Sequence, residues 1–389
     1  MSSRPLCVML VAAEASGDAL GAELARALKA RLGGDHVRFV GVGGAQMARE
    51  GVKSPFDISE LSILGLFEGL MAYPRVVKRA KETAVLAARE KPDVAVLIDS
   101  WGFNLRVAHR LRKLDPKLPL VKYVGPQVWA SRPGRAKTLA KAVDHLLAIH
   151  SFDAPYFEAA GLKTTFVGNP ALSRDLSGAD GARLRSAIDA EPDAQILLIL
   201  PGSRRSEIAR VMPAFEDAAA HLLDERPDLR IVVPVAPTVA DQVKARLAAW
   251  AHPAEIIEDE GLKYDAMKAA TVALACSGTV TTELALAGCP MVVAYKVGAI
   301  TYTLLKPLIR TPYITLLNIA AGEAVAPEMI QRDCNGPALA AVLADRLDDP
   351  ALRERQVAAQ YAALDKMGRG QPDPSEAAAE AVLKVLGRQ

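Results

Sequence analysis

The stretch ILLILPGSRRSEI, residues 196–208, decides the fold class of this chain. It opens with an uninterrupted apolar run, which is typical of a strand buried on both faces of a parallel sheet. A glycine-serine turn follows and leads into a helical segment, so the stretch forms a strand-turn-helix unit. Such units, repeated along a chain, build α/β domains.

The same rhythm of apolar strand, polar turn and helix recurs on both sides of that stretch. Further strands are predicted at 6–13, 38–42, 94–98, 119–124, 146–149, 231–235, 272–275 and 291–294. The pattern breaks at 169–178, a segment rich in serine, glycine and aspartate. We therefore expect two Rossmann-like, doubly wound domains facing a cleft, at residues 1–170 and 171–345. A helical tail at 346–389 is expected to pack back on the N-terminal domain.

Composition excludes several classes of protein. With 389 residues and 51% hydrophobic content, the chain has apolar material for two full cores. Its 47 basic and 45 acidic residues give a net charge of +2, so we expect no nucleic-acid partner. The four cysteines and six histidines are dispersed, which predicts neither a metal site nor a cofactor and favours a reducing compartment. No apolar run is long enough for a membrane-spanning helix.

One candidate anion site follows the strand at 196–200. Gly202 and Ser203 permit a tight turn, and the adjacent arginines 204 and 205 can present a fork to a diphosphate, with Arg204 the favoured contact. The alternative is a solvated turn in which Ser206 caps the next helix. The position at the carboxyl end of a strand favours the anion site.

A second candidate anion site is the small-residue turn Ser277-Gly278-Thr279, where a helix is predicted to open near Thr279. Amides at a helix N-terminus carry partial positive charge, and small side chains let a phosphate approach them. Glu283 lies one turn further on the same face, where it could accept hydrogen bonds from a ribose diol. The alternative is an ordinary helix whose N-terminal end Glu283 stabilises.

The first domain offers a carboxylate and a polar turn. Asp99 follows the buried strand 94–98, and at the cleft it would serve as a general base. The alternative is that Asp99 caps a helix that begins near Asn104. The turn AEASGD at 13–18 and the GVGG at 41–44 do not complete the G-x-G-x-x-G fingerprint, so a dinucleotide site is weakly supported.

Residues 58–81 combine an apolar stripe with a basic run. The stripe has helical spacing, and such a segment either lies in a membrane interface or faces a domain core. A second apolar segment with basic neighbours lies at 300–309. The residues predicted to face a membrane are Ile63, Leu66, Phe67 and Leu70.

Taken together, the motifs of this chain resemble those of the lipid-A-disaccharide synthases. The motifs are AEASGD (13–18), GVGGAQM (41–47), IDSWGFN (98–104), VGPQVWASRPGR (124–135), PGSRRSE (201–207), SGTVTTELALAGCPMVVAYK (277–296) and LLNIAAGE (316–323). The resemblance implies a glycosyltransferase of GT-B architecture that joins UDP-2,3-diacylglucosamine to 2,3-diacylglucosamine 1-phosphate through a β(1→6) bond and releases UDP. It also implies peripheral association with the cytoplasmic face of the cytoplasmic membrane, and a homodimer is possible.

The resemblance also assigns roles to individual residues. Asp99 matches the family's candidate base. Arg204 and the amides of 277–279 fit the role of the clamp that stabilises the departing diphosphate, without metal or cofactor. Glu283 would hold the ribose, and Asn318 matches a polar residue near the reacting sugars. The acceptor side of the cleft is assigned to Glu14, Ser16, Gly17 and Asp18. The sequence departs from the family pattern at Trp101-Gly102-Phe103, Ser131 and Asn169.

Two rival functions fit the same architecture. One is another nucleotide-sugar enzyme, such as a UDP-N-acetylglucosamine 2-epimerase or a different GT-B transferase, which would not need the apolar segment at 58–81. The other is a non-catalytic sensor of nucleotide sugars, in which Asp99 would be dispensable. An apolar segment with basic flanks favours the enzyme that acts on acylated sugars.

Overall fold

Two α/β units make up the chain in a computed structural model that describes residues 4–61, 66–298, 302–303 and 306–388. The first unit takes in residues 1–170 together with 371–389, and the second takes in residues 171–370. Each unit has a parallel sheet with helices on its faces.

The sheet of the first unit has six parallel strands in the order β2-β1-β3-β4-β5-β6. Its strands are β1 (Leu6–Ala12), β2 (Val37–Val42), β3 (Val94–Ile98), β4 (Leu120–Tyr123), β5 (His145–Ala148) and β6 (Lys163–Phe166). Its first helices are α1 (Ala15–Leu32), α2 (Ala45–Arg49), α3 (Leu66–Glu90), α4 (Trp101–Leu114), α5 (Gly134–Ala140) and α6 (Ala154–Glu158).

Strand order in this sheet reverses between β1 and β3. Strand β2 lies on one side of β1 and strand β3 lies on the other. The chain runs from β1 through α1 to β2 and then crosses back through α3 to β3, so the two crossover helices diverge at β1. Ala12 pairs with Ile98 at the carboxyl ends of the two strands. Ligands of doubly wound sheets bind at such a reversal, and here Glu14 and Asp99 follow the two strands.

The sheet of the second unit has the order β12-β11-β10-β7-β8-β9, with all strands parallel. Its strands are β7 (Ile196–Leu200), β8 (Arg230–Pro234), β9 (Glu255–Ile257), β10 (Val272–Cys276), β11 (Met291–Tyr295) and β12 (Glu328–Ile330). Its helices are α7 (Gly181–Ala187), α8 (Arg205–Glu225), α9 (Ala240–Ala248), α10 (Glu260–Ala269), α11 (Thr279–Leu286), α12 (Leu316–Ala321), α13 (Gly336–Asp348) and α14 (Pro350–Met367). The reversal of strand order lies between β7 and β10.

The predicted fold class is confirmed, and the apolar runs 94–98 and 196–200 form β3 and β7 with every residue buried. The three strands that the sequence pattern missed are β6, β9 and β12, and each lies at the edge of its sheet. An edge strand pairs on one side only and can be short and partly polar, as KTTF, EII and EMI are. Such segments lack the apolar run that identifies a central strand.

The tail does not pack as one piece, so the expectation for 346–389 is wrong in its first part. Helix α14 belongs to the second unit, where the buried amides of Gln356 and Gln360 donate to the carbonyls of Met291 and Cys289. Only the last helix, α15 (Pro374–Val385), packs in the first unit, against α1. The chain passes between the two through a turn in which Gly370 has a φ of +79°.

Part of the predicted membrane-facing segment lies outside the described residues: Ile63, and the side chains of Leu66, Phe67 and Leu70. Residues 300–301 and 304–305 of the second apolar segment lie outside them as well. From Tyr73 onward α3 turns Val76 and Ala80 into the core and leaves Tyr73, Arg75 and Lys78 exposed. Along the described chain no helix combines the length and the apolar composition that crossing a bilayer requires.

Candidate functional site

A cavity of about 450 Å³ opens at the carboxyl ends of β7 and β10 in the second unit. This volume lies in the range of small-molecule sites. The predicted residues Gly202, Ser203, Arg204, Ser277, Gly278 and Thr279 all line it. The rest of its wall comes mainly from the turns that follow β8 and β9, residues 234–237 and 257–260.

Gly202 makes the sharp turn from β7 to α8. Its φ is +107°, a conformation that side chains rarely adopt, and an added Cβ would meet Glu207 Oε2 at 3.1 Å and Cys276 Sγ at 3.5 Å. Helix α8 begins at Arg205 with Arg204 as its N-cap residue, so the alternative in which Ser206 caps this helix is wrong. The turn therefore brings the backbone of 202–204 to the rim of the cavity.

The Arg204 guanidinium is 73% exposed and donates to Glu207 Oε1 over 2.7 Å. Glu207 itself is buried, so it fixes one end of the guanidinium. That hydrogen bond occupies one N–H of a group that has five, which leaves donors for an anion. The guanidinium is therefore anchored at one end by Glu207 and open to solvent at the other.

Helix α11 opens at the cavity with Thr279 as its first residue. An added Cβ on Gly278 would meet nothing within 4 Å, so the approach to the first amides of the helix is open. These amides have no partner within the helix and carry partial positive charge. Burial raises the pKa of the neighbouring Cys276 thiol to about 12, so this side chain stays neutral.

Glu283 lies on α11 but is not among the residues that line the cavity. Its buried carboxylate accepts hydrogen bonds from Arg174 Nη1 at 2.5 Å and from Lys263 Nζ at 2.6 Å. Arg174 also contacts Tyr264, and Lys263 does line the cavity. Both carboxylate oxygens of Glu283 already accept hydrogen bonds from these cations, and binding of a ribose diol there stays a prediction.

Asn318 is fully buried on α12, away from any exposed surface. Its Nδ2 donates to the carbonyl of Ala326 and to Glu328 Oε1, and its Oδ1 accepts from the amide of Ala326. These bonds join α12 to the segment that leads into β12. Asn318 therefore holds these two segments together, and a place near the reacting sugars stays a prediction.

In the first unit Asp99 occupies an unusual turn. Asp99 and Ser100 have φ values of +49° and +37°, and α4 begins at Trp101. The alternative in which Asp99 caps a helix near Asn104 is therefore wrong. Asn104 lies inside α4 and donates back to the carbonyls of Ile98 and Asp99. The Asp99 carboxylate is partly exposed, and its Oδ2 accepts from Ser16 Oγ at 3.3 Å.

The four residues predicted on the acceptor side divide into two pairs. Glu14 and Ser16 have exposed side chains. The protein around the Glu14 carboxylate still displaces part of its hydration, and this desolvation together with the nearby Asp99 charge raises the pKa of Glu14. Gly17 is buried, and a Cβ there would come within 3.2 Å of Ala12 Cβ, so its absence lets α1 pack on the sheet. Asp18 is buried too, and its carboxylate accepts from the amides of residues 44, 46 and 47. Contact with an acceptor stays a prediction for Glu14 and Ser16, while Gly17 and Asp18 hold the fold together.

Several residues at these sites were missed by the sequence reasoning. Lys263 and the loop 234–237 line the cavity, and Lys122 lies beneath the Asp99 turn. The loop 234–237 follows the end of β8 in the same way as the two predicted turns follow the ends of β7 and β10. Lys122 is a charged residue inside an apolar strand. Both signals are visible in the sequence. Among the described residues, no three His, Cys, Asp or Glu side chains are grouped as metal ligands would be.

Comparison with known proteins identifies the family. A family model described as lipid-A-disaccharide synthetase matches residues 8–382. The lipid-A-disaccharide synthase of Rhodospirillum centenum is 42% identical over 386 residues, which cover 99% of this chain and 96% of that protein. The chain belongs to the lipid-A-disaccharide synthase family. It is therefore a hexosyltransferase of lipid A biosynthesis, which sets aside the epimerase and sensor alternatives.

Solved structures place this chain among GT-B folds. Staphylococcus aureus MnaA, in a co-structure with UDP, superimposes with a TM-score of 0.63 at 14% identity, covering 97% of this chain and 95% of that one. The glycotransferase of kitacinnamycin superimposes with a TM-score of 0.60 at 15% identity, covering 98% and 100%. At these identities the likeness shows the fold alone.

Proposed function

We propose that this chain joins UDP-2,3-diacylglucosamine to 2,3-diacylglucosamine 1-phosphate through a β(1→6) bond, with inversion and release of UDP. The observation that carries the proposal is the cavity of the second unit. There Arg204 and the N-terminus of α11 face the same space. Two sources of positive potential in one cavity suit a sugar diphosphate.

The second unit supplies the donor site in this proposal. The diphosphate lies against the amides of 277–279 and accepts hydrogen bonds from Arg204, which stabilise the charge that develops as UDP departs. The ribose diol takes the place of a cation on Glu283, and Lys263 is free to turn toward the diphosphate. Gly202 and Ser203 supply the turn that lets the donor come close, and Asn318 holds α12 in place.

The first unit supplies the proton acceptor. The 6-hydroxyl oxygen of the acceptor sugar attacks the anomeric carbon, and its proton passes to the Asp99 carboxylate. The bond from the anomeric carbon to the diphosphate oxygen breaks, and its electron pair leaves with UDP. One displacement inverts the anomeric configuration. In this proposal Glu14 and Ser16, which lie beside Asp99, contact the acceptor.

Both substrates carry acyl chains, so the enzyme must meet them at a lipid surface. The exposed Tyr73, Arg75 and Lys78 of α3 directly follow the apolar stripe of Ile63, Leu66, Phe67 and Leu70. Apolar residues beside basic ones suit the interface of an anionic bilayer. We place the protein on the cytoplasmic face of the cytoplasmic membrane as a peripheral enzyme.

The direct test is to incubate the purified protein with the two acylated glucosamines and to follow UDP and the disaccharide 1-phosphate by mass spectrometry. Both products should appear in equal amounts. UDP release without disaccharide, or no turnover with these substrates, would contradict the proposal.

Asp99→Asn should reduce turnover by well over tenfold, because the amide cannot accept the hydroxyl proton. Its affinity for UDP, measured by calorimetry, should match that of the unaltered protein. Asp35→Asn, an exposed aspartate after α1, is the matched control and should retain activity. Near-normal turnover of the Asp99 variant would remove this residue from the mechanism.

Arg204→Ala should weaken UDP binding and turnover together, on the order of tenfold or more, because a charge-assisted hydrogen bond is lost. Arg204→Lys should restore only part, since an ammonium cannot offer the two-pronged fork. Arg205→Ala changes the neighbouring exposed arginine and is the control. An Arg204→Ala variant with unchanged UDP affinity would show that this arginine does not contact the nucleotide.

A further inference from the structure

A lysine ammonium is buried beneath the Asp99 turn. Lys122, in β4, is 3% exposed, and its Nζ donates to three main-chain carbonyls. Two of them are Leu97 O at 3.2 Å and Tyr123 O at 3.3 Å, and the third is the carbonyl of Asp99 itself. Burying a charged group is costly unless its hydrogen bonds are satisfied, and here each of the three N–H donors has a carbonyl.

These bonds hold a backbone conformation that Asp99 and Ser100 would otherwise avoid. Two consecutive non-glycine residues with positive φ persist only where the surrounding structure fixes them. The amide of Asp99 donates to Tyr123 O at 2.9 Å, while its carbonyl accepts from Lys122 and from Asn104 Nδ2. Both polar groups of the Asp99 main chain are thus tied to the interior, and the side chain is left at the carboxyl edge of the sheet.

We propose that Lys122 is a positioning residue for hexosyl transfer: its ammonium holds the left-handed turn that orients the Asp99 carboxylate toward the acceptor hydroxyl. The inference rests on the proposed role of Asp99 as proton acceptor. Lys122 itself contacts backbone and not substrate.

Charge state supports this role. The charged groups that face the ammonium are Asp99 at the end of β3 and Glu14 after β1, and the β5 residue paired with Lys122 is the apolar Leu146. Burial lowers the pKa of Lys122 to about 7, against the opposite effect of the two carboxylates. A neutral amine has two N–H donors for three carbonyls, so loss of the proton loosens the turn.

The test compares Lys122→Met, which keeps the length and removes the donors, with Lys122→Arg, which keeps a charge at every pH of the assay. Thr83→Val is the matched control, because it removes another buried polar group of the first unit, on α3. Disaccharide formation is measured at saturating substrate across pH 6 to 9, and UDP affinity by calorimetry.

We expect Lys122→Met to lower kcat by at least tenfold, with the donor KM and the UDP affinity within about twofold of the unaltered protein. The unaltered enzyme should lose turnover as pH rises through about 7, because Lys122 loses its third donor. Lys122→Arg should retain more activity than Lys122→Met and should lack that decline. Thr83→Val should keep both the activity and the decline.

A crystal structure of Lys122→Met gives a result that does not depend on activity. Asp99 should leave the left-handed region, and its carboxylate should shift. If the unaltered protein makes no disaccharide, the proposed function fails, while this structure still decides whether Lys122 places Asp99. Turnover of Lys122→Met within twofold of normal, or an unchanged Asp99 turn, would overturn the inference. Should Lys122→Met not fold, an unchanged pH profile in Lys122→Arg would overturn it.

Discussion

The two glycines at the rim of the cavity should respond in opposite ways to the same substitution. Gly202 has a φ of +107°, whereas Gly278 has a φ of 161°, which is extended backbone open to any residue. A Cβ on Gly202 would come within 3.1 Å of Glu207 Oε2, and one on Gly278 would meet nothing within 4 Å. Alanine should therefore destabilise the first position and be accepted at the second.

The magnitudes follow from these geometries. Forcing alanine into the Gly202 conformation costs about 1–3 kcal/mol. For a unit of this size each kcal/mol shifts Tm by roughly 2–4 °C, so Gly202→Ala should lower the Tm of the second unit by roughly 2–12 °C. Gly278→Ala restricts the unfolded chain without strain in the folded one, and should leave stability unchanged or raise it by up to about 1 kcal/mol.

Scanning calorimetry of the two variants checks the stabilities, and titration with UDP checks the site. Gly278→Ala should weaken UDP binding although it folds normally, because its methyl group stands where the diphosphate approaches α11. Equal Tm values for the two variants would refute the account of the Gly202 turn. Unchanged UDP affinity in Gly278→Ala would refute the placement of the diphosphate.

Two further predictions concern buried carboxylates. Glu283→Gln should lower the stability of the second unit by about 1–3 kcal/mol in urea unfolding, because Arg174 and Lys263 lose their charged partner. Unchanged stability would show that these ion pairs contribute little. Burial raises the pKa of Asp153 to about 7, although Trp129 Nε1 donates to it. Since the folded state then holds a proton that the unfolded state releases, stability from this group is present below about pH 4 and is lost as pH rises to about 7. Asp153→Asn should remove that loss, so its stability relative to the unaltered protein should increase between about pH 4 and 7. A constant difference across that range would contradict this.

Local sequence determined the central strands and the cavity turns of this protein. The apolar runs at 94–98 and 196–200 can be satisfied only by burial on both faces of a sheet, and the polar turns after them must then lie at its carboxyl edge. Gly202 and the small residues at 277–279 lie in such turns, so their position in the sequence predicted a site at that edge. These features depend on neighbours in the chain, so spacing alone reveals them.

Tertiary structure decided what the individual polar side chains do. Asp18 binds amides more than twenty residues away, Glu283 is paired with Arg174 over a separation of 109 residues, and Lys122 reaches back across β3 to the Asp99 carbonyl. Hydrogen bonds and burial depend on distances in space, which sequence spacing does not give between elements joined by crossover connections. The same physics explains why a lysine inside an apolar strand could be noticed in the sequence, while its three carbonyl partners could be found only in the folded chain.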